Sequence, residues 1–141
     1  MSTLYSTRAT AIGGRSGTVR SDDGLLELSL ALPSGLGGKG GATNPEQLFA
    51  AGYAACFGNA VIHVGRGKAT RVRDDDVEVV AEVGIAPDGS GGFGLSVALN
   101  VSIAGLDQEA AEAIVEEAHA VCPYSNAVKS NIDVAITVTV R

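Results

Sequence analysis

Two cysteines, Cys56 and Cys122, are the side chains best able to do chemistry in this chain of 141 residues. Cys56 falls within a long apolar segment, and Cys122 directly precedes a proline. Such a pair in a protein of the cytoplasm is most often a pair of small buried side chains, and a structural disulfide is disfavoured there. A nucleophilic cysteine requires a nearby positive charge that lowers its pKa. The cysteines by themselves leave both interpretations open.

Arg15 and Glu46 are candidates for supplying and orienting that charge. Arg15 follows Gly13-Gly14, where the backbone can turn sharply, although a single arginine is more often a surface residue. Glu46 stands in the first turn of an expected helix, where a carboxylate interacts favourably with the helix dipole. The same carboxylate could hold a guanidinium in a bidentate pair and fix its direction.

A zinc site is a further possibility, because Cys56, Cys122, His63 and His119 could supply two sulfur and two nitrogen ligands. Cys56 and His63 are seven residues apart on one expected helix, about 10 Å at a rise of 1.5 Å per residue. That distance is too long for one tetrahedral ion unless the helix breaks. We therefore expect no metal site, and we expect both histidines at the surface or at the edge of a pocket.

The elements that must position these residues begin with short strands. Strand-like pieces cover residues 3–12, 18–20 and 25–32, and the turn at 22–24 predicts a β-hairpin. A glycine-rich loop follows over 33–43. It lacks the GK[ST] ending of a phosphate-binding loop, and Glu46 adds a negative charge at the start of the next helix, which argues against an anion site.

Helix signals begin at Asn44. This residue is a typical N-cap, with Pro45 at the first helical position and Gln47 at the third position of a capping box. From Leu48 to about Val64 the residues are apolar on nearly every face, which is typical of a buried helix.

The remaining chain predicts two strands, a second helix and a closing strand. Residues 77–85 and 93–103 have strand character, and the charged run 71–76 before them is expected to be a solvated loop. Asp107 is the expected cap of the second helix, and Pro123 limits how far that helix can continue. Residues 125–131 predict at most one further helical turn. Residues 132–140 alternate between apolar and polar side chains, as a strand does. This order of elements predicts a single α+β domain spanning residues 1–141.

Composition excludes several classes of function. Sixteen acidic and 10 basic residues give a formal net charge of −6, which argues against nucleic acid as a partner. No stretch of about 18 apolar residues is uninterrupted, and residues 1–20 lack the apolar core of a secretion signal. We therefore expect a cytoplasmic protein that binds neither nucleic acid nor membrane.

Four segments together resemble one known family. They are GGR at 13–15, NPEQLFAAGYAACF at 44–57, GGFG at 91–94 and VCPYSNA at 121–127. In these motifs, and over essentially its whole length, the chain resembles the organic hydroperoxide resistance (Ohr) proteins of the OsmC/Ohr superfamily. The resemblance implies an α+β fold with antiparallel sheets around a long buried central helix, assembled as an intertwined homodimer.

The resemblance also implies an antioxidant peroxidase mechanism without a cofactor. Cys56 would attack an organic hydroperoxide and become a sulfenic acid, and Cys122 would resolve it as a Cys56–Cys122 disulfide. Arg15 would stabilise the thiolate and the developing negative oxygen, and Glu46 would orient Arg15. Dihydrolipoamide or lipoylated proteins would reduce the disulfide.

Helix geometry adds a prediction about assembly. Glu46 and Cys56 are ten positions apart, about 15 Å along a helix. If Glu46 and Arg15 act on Cys56, either the helix bends near Gly52 or the pair comes from a second subunit. We predict a homodimer with sites at its interface.

Apolar side chains near the motifs predict the preferred substrate. Five are available to line a pocket, although plain core packing is expected for at least half of them: Leu48, Phe49, Tyr53, Phe57 and Phe93. Bulky organic and lipid hydroperoxides should then outcompete hydrogen peroxide. Two alternatives remain open, namely a non-enzymatic module that binds a fatty acid or another small hydrophobic molecule, and a zinc-binding module.

Overall fold

The computed structural model describes residues 2–69 and 72–141. The chain divides into two compact units, one ending at Leu48 and the other comprising Phe49–Arg141. Arg71, the first residue of the charged run expected to be a loop, lies outside the described residues. Within that run, residues 74–76 form a single 3-10 turn.

The N-terminal unit contains an antiparallel sheet of three short strands, β1 (Ala9–Ile12), β2 (Thr18–Ser21) and β3 (Glu27–Ser29), in that order. The predicted hairpin is confirmed, and Gly24 in its turn has a φ of 76°, which favours glycine. β1 and β3 are shorter than predicted, whereas β2 is one residue longer, because pairing, and not residue pattern alone, sets strand length.

Helix α1 (Pro45–Arg66) starts where the sequence predicts. Asn44 Oδ1 accepts a hydrogen bond from the Gln47 backbone N–H at 2.9 Å, as an N-cap does. The Gln47 side chain accepts a bond from the Thr43 hydroxyl. Each residue of α1 is described, and the helix continues past Gly52 without a break.

By length and composition, α1 would be able to cross a membrane. The prediction that no such segment exists considered only uninterrupted apolar runs. Tyr53, Phe57 and Val61 are completely buried and belong to the hydrophobic core, as expected for a core helix. Ala51 and Ala55 are exposed on another side of the helix, so the chain buries α1 on one side only.

The C-terminal unit contains a sheet of three strands, β4 (Val77–Pro87), β5 (Phe93–Ile103) and β6 (Ala135–Val140), with β5 in the middle. β4 and β5 pair antiparallel, as expected, whereas β6 lies parallel to β5. The expectation of antiparallel sheets thus fails for this one pair. The chain between β5 and β6 is largely helical, and a helical crossover permits parallel pairing.

Two helices form that crossover, α2 (Gln108–Val121) and α3 (Pro123–Val128). Asp107 Oδ1 caps α2 by accepting from the Ala110 backbone N–H at 2.8 Å. Cys122 lies between the helices with an extended backbone, φ −65° and ψ 124°. A residue before proline avoids the helical conformation, so Pro123 ends α2 and places Cys122 at the break.

The core of this unit lies between the sheet and the helices. Its central side chains come from α1, β5 and α2: Phe57, Val61, Leu99, Val101, Ile103, Ala111, Val115 and Ala118. The predicted α+β class is confirmed by this arrangement.

Candidate active site

The two cysteines, 66 residues apart in sequence, meet in the C-terminal unit. Cys56 lies in α1, Cys122 lies at the break between α2 and α3, and their sulfur atoms are 3.8 Å apart. Both are free thiols; Cys122 is fully buried and Cys56 is half-buried. A disulfide requires the sulfurs to approach to about 2.05 Å. The two sulfurs are therefore less than 2 Å from bonding distance.

The surroundings of Cys56 in its own unit favour the protonated thiol. Burial raises the pKa of Cys56, a backbone hydrogen bond from Tyr124 lowers it, and Cys122 raises it further, with a net shift upward. A thiol with a raised pKa is a poor nucleophile at neutral pH. A positive charge close to the Cys56 sulfur would lower this pKa.

Tyr124 contacts the cysteine site through its backbone and its ring. Its backbone N–H donates to Cys56, and its ring centroid lies 5.6 Å from that of Tyr53 and 6.3 Å from that of Phe49. A Cβ placed on Gly52 would lie 2.5 Å from the Tyr124 hydroxyl oxygen. The absence of a side chain at Gly52 therefore lets Tyr124 lie against α1 one turn before Cys56.

Arg15 and Glu46 form a bidentate ion pair in the N-terminal unit. Arg15 Nη1 donates to Glu46 Oε2 at 2.8 Å, and Nη2 donates to Oε1 at 2.5 Å. The Glu46 side chain is only 13% exposed. Its hydrogen bond with Arg15 lowers the pKa of Glu46, and the same bond raises the pKa of Arg15. Both groups are therefore charged at neutral pH.

The position of Arg15 follows from local sequence. Gly13 and Gly14 have φ values of 82° and 57°, a region in which glycine is favoured. They lead into a single 3-10 turn over Gly14–Ser16. Glu46 occupies the first turn of α1, as predicted.

The five residues predicted to line an apolar pocket occupy different environments. Tyr53 and Phe57 are fully buried in the core, and Phe49 packs partly against it. Leu48 is half-buried, whereas Phe93 is 68% exposed at the start of β5. Core packing thus accounts for Tyr53 and Phe57. That any of the five residues contacts the substrate stays a prediction.

The two histidines differ in environment. His63 is exposed on α1, whereas His119 is half-buried in α2 and lines a cavity of about 480 Å³. His119 Nδ1 lies 2.9 Å from the hydroxyl oxygen of Ser125. In the part of the chain that the structure describes, no group of three or more His, Cys, Asp or Glu side chains could hold a metal ion.

Sequence reasoning gives no role to Tyr124 and Ser125. Both directly follow Cys122-Pro123. The proline predicts a break in the helix there, and residues just after such a break can turn back toward the cysteine. That position is the signal by which they could be found.

Comparison with known proteins assigns this architecture to a class. The family described as OsmC-like protein matches residues 38–137. An organic hydroperoxide resistance protein from Xanthomonas axonopodis pv. citri is 46% identical over 140 residues, which cover 95% of this chain and 94% of that protein.

Solved structures agree with this match. An organic hydroperoxide resistance protein from Legionella pneumophila superimposes with a TM-score of 0.93 and 53% identity, over 98% of this chain and 99% of the other. For OhrB of Bacillus subtilis the TM-score is 0.86 with 42% identity, over 96% and 99% of the two chains. The fold is therefore that of the OsmC-like class.

Within that class, the chain belongs to the organic hydroperoxide resistance (Ohr) family. Membership implies a role in the detoxification of organic hydroperoxides and in the response to oxidative stress.

Proposed function

We propose that the protein is a cysteine-based peroxidase that reduces organic hydroperoxides to alcohols. The Cys56 thiolate attacks one peroxide oxygen and the O–O bond breaks. Cys56 becomes a sulfenic acid, and the departing alkoxide takes up a proton to form the alcohol. The Cys122 thiolate then attacks the Cys56 sulfur, which gives a disulfide and releases water. In sum, two thiols and one hydroperoxide give a disulfide, an alcohol and water.

The single observation that carries this proposal is the 3.8 Å separation of the two sulfur atoms. This distance brings the half-buried Cys56 directly beside the fully buried Cys122, which is the arrangement that a peroxidatic and a resolving cysteine need. The break at Pro123 supports the resolving role as well, since it leaves Cys122 outside regular helix.

The activating charge in this proposal comes from Arg15 of a second subunit, which Glu46 of that same subunit orients. α1 continues unbroken through Gly52, so Glu46 and Cys56 of one helix are separated by about 15 Å. Of the two alternatives drawn from the sequence, the partner subunit is therefore favoured. The exposed side of α1, at Ala51 and Ala55, also supports a homodimer as a surface that a second chain could cover.

The disulfide is reduced, in this proposal, by dihydrolipoamide or by lipoylated proteins through thiol–disulfide exchange. No cofactor takes part, because the reacting atoms are all sulfur and oxygen of the protein and its substrates. Recycling of a dithiol suits the reducing cytoplasm, which we propose as the compartment.

The decisive experiment measures the consumption of cumene hydroperoxide with dihydrolipoamide as reductant. Wild type should turn over, whereas Cys56→Ser should be inactive. Cys122→Ser should react once and retain a sulfenic acid that dimedone traps. Full activity of Cys56→Ser would overturn the proposal.

The same preparation distinguishes the alternatives. A non-enzymatic binding module predicts that neither cysteine reacts with one equivalent of peroxide at neutral pH. A zinc-binding module predicts tightly bound metal, which elemental analysis of the purified protein would detect.

A further inference from the structure

A buried hydrogen-bond network lies beside the two cysteines. The Tyr53 hydroxyl is 2.7 Å from Ser125 Oγ, which in turn is 2.9 Å from His119 Nδ1. Tyr53 is fully buried and Ser125 is 3% exposed. Burying a polar group costs free energy unless the group makes a hydrogen bond. The network therefore favours the one packing of these segments in which each group has a partner.

The hydrogen bond between Tyr53 and Ser125 lies close in sequence to both cysteines. Tyr53 precedes Cys56 by three residues in α1, and Ser125 follows Cys122 by three residues. In α1, residues three apart lie on the same side of the helix, so Tyr53 lies on the side that carries Cys56. The Tyr53–Ser125 hydrogen bond therefore joins α1 to the segment that follows Cys122, the same two parts of the chain that the Cys56–Cys122 pair joins.

The hydrogen bond between His119 and Ser125 connects the two helices on either side of the break at Cys122. His119 precedes Cys122 by three residues and lies in α2, whereas Ser125 lies in α3. Their hydrogen bond thus spans the junction at which Cys122 sits. Backbone hydrogen bonds from Cys122 N–H to Ala118 O and from Asn126 N–H to Cys122 O also fix this junction, and the side-chain bond adds to them.

Hydrogen-bond chemistry makes Ser125 the central member. A serine hydroxyl offers one donor and can also accept. With neutral His119 protonated on Nε2, Tyr53 donates to Ser125 and Ser125 donates to His119 Nδ1. Each of the three groups is then satisfied, and removal of the serine hydroxyl would leave the buried Tyr53 hydroxyl without this partner.

We propose that Ser125, oriented by His119 and Tyr53, is a positioning residue for the resolving step. It holds Cys122 opposite Cys56, so that the disulfide forms before the Cys56 sulfenic acid can react with another molecule. This inference rests on the proposed peroxidase function. Ser125 touches no reacting atom in this scheme and acts through Cys122, so the formation of the sulfenic acid itself should not depend on it.

The test separates the two chemical steps in a single turnover. Reduced protein is mixed with one equivalent of cumene hydroperoxide, quenched at intervals, and analysed by mass spectrometry for the dimedone adduct and the disulfide. In Ser125→Ala we expect disulfide formation to slow by about tenfold or more, because small misplacements of reacting groups cost rates of that order. The dimedone adduct should accumulate in that variant. The rate of the first step, measured with Cys122→Ser present, should be unchanged.

Two further variants make the test specific. Tyr53→Phe removes the other hydroxyl and should slow the same step, and Tyr53→Phe combined with Ser125→Ala should be no slower than Ser125→Ala alone. Ser102→Ala is the matched control, because that hydroxyl belongs to the same unit but bonds to Arg141. It should behave as wild type. If Ser125→Ala does not fold, as judged by circular dichroism, Tyr53→Phe alone decides the matter.

Oxidation by diamide distinguishes failure of the inference from failure of the proposed function. Diamide closes a dithiol without any peroxide. If wild type forms no disulfide with peroxide, the proposed function fails, and disulfide closure by diamide in wild type and Ser125→Ala still tests the positioning role. Closure at the wild-type rate in Ser125→Ala, or in Tyr53→Phe when Ser125→Ala does not fold, would overturn the inference.

Discussion

Arg15 and Glu46 face each other through two parallel hydrogen bonds, of 2.8 Å and 2.5 Å, although 31 residues separate them in sequence. Bidentate pairing of this kind fixes the plane of the guanidinium as well as its position. The carboxylate is almost buried. Glu46 thus holds the positively charged guanidinium of Arg15 in a fixed orientation.

Arg15→Lys should lower kcat/KM for cumene hydroperoxide. A lysine keeps the charge but cannot make the two parallel bonds to Glu46. We expect a loss of about 10²-fold, comparable to the removal of one preorganised donor from an active site. The matched control is Arg8→Lys, because Arg8 pairs with Asp22 in the same unit but is 84% exposed. If both substitutions had equal effects, the proposed role of Arg15 would be wrong.

Stability should depend on the charge of Glu46 in a defined range of pH. The pKa of Glu46 is lowered by its bond to Arg15. The stabilisation by the ionised carboxylate is therefore fully present above the pKa of a glutamate in the unfolded chain, about 4.3. It is lost as the pH falls through the lower folded value. The difference in unfolding free energy between wild type and Glu46→Gln should therefore shrink below about pH 4. Urea denaturation at pH 7 and pH 3 measures it, and a difference that grows toward acid would contradict this sign.

Gly52→Ala should disturb the cysteine site, whereas Gly58→Ala should not. An added Cβ at Gly52 meets the Tyr124 hydroxyl at 2.5 Å, but at Gly58 it meets Val79 Cγ2 at an ordinary 3.7 Å. Glycine in a helix costs up to about 1 kcal/mol relative to alanine, so Gly58→Ala should stabilise the protein. Gly52→Ala should increase the stability less than Gly58→Ala does. It should also alter the tyrosine fluorescence, because it displaces Tyr124. Thermal unfolding followed by fluorescence compares the two.

Two inactive variants should restore activity when they are co-expressed, if the site is shared between subunits. A dimer of one Arg15→Ala chain and one Cys56→Ser chain contains an intact Arg15 and an intact Cys56 on opposite chains. Such a dimer should be active only when the two residues act across the interface. Activity assays of the purified mixed dimer test this, and no recovery would rule out the shared site.

Cumene hydroperoxide should react with reduced protein much faster than hydrogen peroxide. Each methylene buried in an apolar pocket contributes about 0.8 kcal/mol. Tyr124, whose backbone bonds to Cys56, packs its ring against Phe49 at a centroid distance of 6.3 Å. Stopped-flow measurement of the first step with both peroxides gives the ratio. Equal rate constants would refute an apolar substrate pocket.

Local signals predicted most of the elements because they act over a few residues. The caps at Asn44 and Asp107 mark the starts of α1 and α2, and the alternation over 93–103 matches β5 in full. Strand ends were less predictable. The pattern over 132–140 yields β6 only from Ala135, because a strand extends only as far as a neighbour is available for pairing.

By itself, the sequence determined the helix that carries Cys56, the proline that frees Cys122 from regular helix, and the glycines that precede Arg15. Only the tertiary structure decided that the sulfurs lie 3.8 Å apart, and that Tyr53 meets Ser125 across 72 residues of chain. Caps, turns and periodicity depend on neighbours in sequence. Contacts of long range depend instead on how the sheet and helices bury their apolar faces together, which no local pattern specifies.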